Sequence, residues 1–81
     1  TVEKLRLPFG CLQKHTTSDG DVWFYGSVGT PYGYVRVHAE PTFTVLSVVH
    51  DGYAVYRHIR RAYTRRGLVT LANRFAEEIC G

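Results

Sequence analysis

Turn signals cut residues 1–60 into short runs, and that spacing leaves room for hairpins but for few long helices. Asp19-Gly20 and Asp51-Gly52 each read as a two-residue hairpin connection, because these residue types accept the positive φ of a type I′ turn. Pro31-Tyr32-Gly33 marks a third reversal, with proline preset for an early turn position. Glu40-Pro41 marks a break, since proline restricts its predecessor and donates no ladder hydrogen bond.

Strand-like runs lie between these marks. Cys11 to Thr17 is a polar strand, and Val22 to Val28 carries Val22, Trp23, Phe24 and Tyr25 in succession. Tyr34 to His38 alternates, placing Val35 and Val37 on one face and Arg36 and His38 on the other. Thr42 to His50 is the strongest β segment, apolar on both faces near its end, as a central strand would be. Tyr53 to Arg60 pairs back across Asp51-Gly52. Val2 to Phe9 reads as an edge strand or a short helix, which Pro8 stops in either case.

The period changes after residue 64. Leu68, Leu71, Ala72, Phe75, Ala76 and Ile79 follow helical spacing, with Thr70, Asn73 and Glu77 opposite. Thr64 suits an N-cap and Gly81 a C-terminal stop. A lone helix of this length is marginal in water, so its apolar stripe has to cover the sheet. Val55, Ile59 and Tyr63 also share helical spacing, so residues 54–66 admit a first helix; the β-rich flanks and the Asp51-Gly52 turn favour a strand. The expected fold is α+β: an antiparallel β-meander of about four to five strands packed against one C-terminal amphipathic α-helix, in a single domain over residues 1–81.

With 81 residues the chain builds one modest core, and 44% hydrophobic with 21% charged residues suits a folded domain. No apolar run approaches the roughly 18 residues of a membrane-spanning helix. Two cysteines, Cys11 and Cys80, are too few for a disulfide framework and read as small buried hydrophobes, with a bridge that closes a long loop as the alternative. The compartment stays open, with a cytoplasmic setting favoured over a secreted one.

Net charge is +3, but it is unevenly placed. Residues 1–52 hold four Lys or Arg against five carboxylates; residues 53–81 hold six Arg against Glu77 and Glu78. Five of those Arg fall together as Arg57, Arg60, Arg61, Arg65 and Arg66, with His58 and Tyr63 among them. All are Arg and none is Lys, and a guanidinium grips phosphate in two places and stacks on rings. Arg65 and Arg66 open the expected helix while Glu77 and Glu78 close it, both against the helix dipole. Free N–H groups at a helix start, two Arg and Gly67 together resemble an anion cradle. The rival reading is a solvated cluster, or one paired with Glu3, Asp21 or Glu40.

Six of eleven aromatics are Tyr, which serve cores and binding faces alike. Trp23 and Tyr25, and Tyr32 and Tyr34 around Gly33, are candidate partner-binding aromatics. His15, His38, His50 and His58 lack metal-ligand spacing, and no paired Cys-x-x-Cys occurs, so no metal or cofactor is expected. Gly26-Ser27-Val28-Gly29 lacks the spacing and Lys of a phosphate-binding loop. An enzyme therefore ranks third. The first expectation is a small non-enzymatic protein that contacts nucleic acid or another polyanion through Arg57, His58, Arg60, Arg61, Tyr63, Arg65, Arg66 and Gly67. The second is a protein-interaction module, an inhibitor or regulatory subunit, that uses an aromatic sheet face or a strand edge; an open edge would also permit a homodimer.

Overall fold

A computed structural model describes residues 2–6 and 10–81, with side chains from residue 10 onward. The chain runs β1 (Val2–Arg6), β2 (Gly10–Thr16), β3 (Val22–Thr30), β4 (Gly33–Ala39), β5 (Thr44–His50), β6 (Tyr53–Ile59) and α1 (Arg65–Cys80). The strands form one antiparallel sheet in the order β1-β2-β3-β4-β5-β6, an uninterrupted meander. The α+β arrangement of meander and C-terminal helix agrees with the turn and period signals. The sheet has six strands, because the ambiguous first segment pairs with β2 as the outer strand. Leu7, Pro8 and Phe9 lie outside the described residues.

The turns differ in detail from their dipeptide signals. Asp51 (φ 52) and Gly52 (φ 81) both take positive φ, as a type I′ connection requires. At Asp19-Gly20 only the glycine does, at φ 88. There Thr17 and Asp21 pair through backbone, Gly20 N–H donates to the Thr17 carbonyl, and the loop is three residues long. The glycine supplies the left-handed position of that longer loop. Residues 54–66 contain β6 followed by a connector, and the helix begins at Arg65.

Alternation within each strand sends one set of side chains to the helix. Leu12, Phe24, Val28, Val35, Val37, Ala39, Leu46 and Val48 meet Leu68, Ala72, Phe75 and Ala76 in the buried core. The helix stripe read from spacing is the stripe that packs: Leu68, Ala72, Phe75 and Ala76 are buried, and Leu71 and Ile79 sit partly buried beside them. Thr64 caps the helix, its Oγ1 accepting from Gly67 N–H at 3.1 Å, and Gly81 N–H closes the other end on the Glu77 carbonyl. Buried Thr44 adds a polar tie, its hydroxyl donating to the Arg61 carbonyl at 3.0 Å, which fixes the path from β6 to α1.

Gly26 is the tightest point of the sheet. It has φ 146 and stands opposite Leu12, and a Cβ there would overlap the Cys11 carbonyl. Glycine alone lets β2 and β3 approach so closely in mid-strand. Both cysteines are free and half-buried, Cys11 on β2 and Cys80 at the end of α1, so neither is the fully buried hydrophobe expected of it.

Candidate functional site: the open face of the sheet

The helix covers one face of the sheet, and no other described element covers the second face. Strand register arranges that second face in rows. One row runs Cys11, Ser27, Arg36, Ser47, Tyr56, and the next runs Gln13, Tyr25, His38, Val45, His58. His15 and Trp23 stand opposite each other one step further along.

The first row explains the shape of the face. Its side chains are short at Cys11, Ser27 and Ser47, while Tyr25, His38 and Tyr56 stand taller around them. The result is a shallow groove of about 690 Å³ lined by these residues, Gln13 and Arg36. The lining contains Arg36 and His38 and no carboxylate. Arg36 is exposed, lies mid-strand between the two serines, and has no ion-pair or hydrogen-bond partner among the described residues. His38 Nε2 lies 2.8 Å from Glu40 Oε2 at the edge of the face.

An aromatic chain borders the groove on that side. Trp23 meets His38 edge-on at 6.1 Å between centroids, His38 lies 6.4 Å from Phe43, and Phe43 lies 5.1 Å from His58. These rings pack edge to edge along that side of the face.

The Arg cluster read from sequence does not face one way. Arg57 and His58 are neighbours on a strand and face opposite ways. Arg57 turns to the helix side, where it pairs with Glu78 and lies 4.9 Å from the Phe75 ring centre. His58 turns to the open face. Arg60 is exposed just beyond the end of β6, and Arg61 lies 5.1 Å over the Tyr63 ring. Arg65 and Arg66 are exposed in the first helical turn. Gly67 does not offer its N–H to a ligand, since Thr64 Oγ1 already accepts it.

Arg65, Arg66 and Tyr63 border a second hollow of about 890 Å³, between the helix start and the loops before β3 and β5. Lys14 also lines it, but so do Asp21 and Glu40, so its charge is mixed. Among the described residues, no group of three or more His, Cys, Asp or Glu side chains could hold a metal ion. No described helix is long and apolar enough to cross a membrane.

Of the aromatics singled out from sequence, Trp23 and Tyr25 line the open face half-buried, and Tyr34 stands exposed on its outer row. Tyr32 belongs to the β3–β4 turn. Arg36, Ser27, Ser47, Gln13 and Tyr56 were not singled out. The signal that marks Arg36 and Ser47 is a polar residue alternating with Val35 and Val37, or with Leu46 and Val48, on central strands; Gln13, Ser27 and Tyr56 carry no such signal. Comparison with protein-family models, curated proteins and solved structures gives no match.

Proposed function

We propose that this domain binds single-stranded nucleic acid across the open face of its sheet. The observation that carries this reading is Arg36: a guanidinium in mid-sheet with no partner among the described residues, between two serines and among Tyr25, His38 and Tyr56. An Arg at the centre of a sheet face, without a carboxylate in the groove, is complementary to a phosphate. Rings spaced around it offer stacking surfaces for bases, the combination that single-strand binders use. A duplex hides its bases from such a surface. Arg60, Arg61, Arg65 and Arg66 supply further cations at the end of the sheet where β6 runs into α1, and serve as outlying phosphate contacts.

The test is fluorescence anisotropy with labelled single-stranded and duplex oligonucleotides across a salt series. The expected result is single-strand preference and affinity that falls steeply with salt. Arg36→Ala is expected to lower affinity more than Arg65→Ala with Arg66→Ala. The opposite ranking would move the site to the helix start, and no binding at low salt would end the reading.

A protein-binding reading is favoured by one separate feature. Tyr32, Tyr34, Val49 and Tyr53 are exposed large apolar residues at the end of the sheet that carries the β3–β4 and β5–β6 turns. Tyr-rich exposed surfaces anchor protein partners. Such an interface depends little on salt, which separates it from the first reading.

A further inference from the structure

We infer that the groove on the open face prefers RNA to DNA, an inference that rests on the single-strand reading above. Stacking rings and one Arg would serve either nucleic acid equally. The floor between them distinguishes the two. Ser27 and Ser47 are the register partners of Arg36 on either side, and Gln13 pairs with Tyr25 in the adjoining row. None of these three side chains makes a hydrogen bond with another described residue, and all line the groove. Their hydroxyl and amide groups therefore face the ligand with donors and acceptors to spare.

The placement matters as much as the chemistry. In a strand whose phosphate meets Arg36 and whose bases stack on Tyr25 and Tyr56, the sugars lie between ring and guanidinium. Gln13 flanks Tyr25 on its far side, and it is Ser27 and Ser47, the register partners of Arg36, that stand there. Ribose carries a 2′-hydroxyl there, able both to donate and to accept, and this group is what separates RNA from DNA at a given site. Deoxyribose presents only C–H, which leaves the serine hydroxyls without a partner when the strand displaces water from them. Thr or Val at positions 27 and 47 would suit a β-sheet better than Ser by propensity alone. Short hydroxyls keep the floor both low and polar.

The experiment compares oligouridylate with oligodeoxyuridylate of about twelve nucleotides, within the site sizes usual for one small domain. The two probes share bases and differ at the sugar. The expected result is RNA binding about five- to twentyfold more tightly, from one or two hydrogen bonds. Ser27→Ala with Ser47→Ala removes most of that difference by weakening RNA alone, and thermal melting confirms that the variant is folded. Oligouridylate with 2′-fluoro sugars keeps the RNA-like pucker but cannot donate, and is expected to bind as DNA does. Equal affinity for RNA and DNA overturns the preference while leaving the single-strand reading intact. Binding of neither overturns both.

Discussion

Arg57 on β6 donates to the Glu78 carboxylate near the end of α1, and its guanidinium lies over the Phe75 ring. One side chain thus ties the last strand to the last turns of the helix. It also accounts for a carboxylate where the helix dipole disfavours one, since Arg57 supplies the positive charge that the end of α1 lacks. Both partners are more than a third exposed, so solvent screening keeps the ion pair itself weak. Glu78→Gln is expected to cost about 0.5 kcal/mol, because losing the pair is partly offset by relieving the dipole. Arg57→Ala is expected to cost more, about 1–2 kcal/mol, because packing against Phe75 is lost as well. Urea melts of the two single variants and the double variant check the ranking; equal losses would mean that the ring contact contributes nothing.

Phe75 is 1% exposed and central to the helix stripe. Phe75→Ala is expected to cost about 3–5 kcal/mol, most of the stability of a domain this size. Circular dichroism melting would show it as a largely unfolded chain at 37 °C. A shift of a degree or two would contradict the core assignment.

Gly26→Ala puts a methyl group into the Cys11 carbonyl at a backbone angle that side chains rarely adopt. The strain alone costs about 1–3 kcal/mol, and the clash adds to it by forcing β2 and β3 apart. Gly20→Ala is the control: its φ is also positive, but nothing crowds the new methyl, so about 1 kcal/mol is expected. The test is the difference in melting temperature between the two variants.

Thr44→Val keeps the shape of a fully buried side chain and deletes its hydrogen bond to the Arg61 carbonyl. A loss of about 1–2 kcal/mol is expected, for a carbonyl left without its donor. Amide exchange at residues 60–64 should quicken more than exchange in β3 or β4, since the lost bond holds that connector. Uniform quickening would show that Thr44 supports the whole domain instead.

Tyr56 is 70% exposed and borders the groove. Tyr56→Ala is expected to weaken single-strand binding at least fivefold, as loss of one stacked base would, while leaving melting unchanged. Tyr32→Ala, in the turn away from the groove, is expected to leave that binding as it was. Equal effects at both positions would place the ligand elsewhere.

Much of this fold was legible because its signals are local. Thr64 and Gly81 bracket the helix, Leu68 to Ile79 repeat at its period, and Val35 and Val37 alternate with Arg36 and His38. The β2–β3 loop is one residue longer than its Asp-Gly signal implies, since Asp19 and Asp51 look alike in sequence and only Asp51 takes positive φ. The candidate site was much less legible. Its rows join residues from five strands, and nothing in the chain order states that Cys11, Ser27, Arg36, Ser47 and Tyr56 are in register. The Arg cluster drew attention because its members are adjacent in sequence. Adjacency on a strand sends Arg57 and His58 to opposite faces, and the partner of Arg57 stands 21 residues away on the helix.

The unbroken meander has a bearing on how the molecule comes into being. Each strand pairs with the one made just before it, so the sheet can assemble by short-range steps in the order of synthesis. The helix is made after the sheet, and it joins distant parts of the chain, reaching β3, β4 and β5 together. Until it docks, Val35, Val37, Leu46 and Val48 have no cover, and a nascent chain at that stage is at its most vulnerable to association. The sixteen residues of α1 act as the sheet's own chaperone, and a chain interrupted before Leu68 would leave the apolar face of the sheet bare.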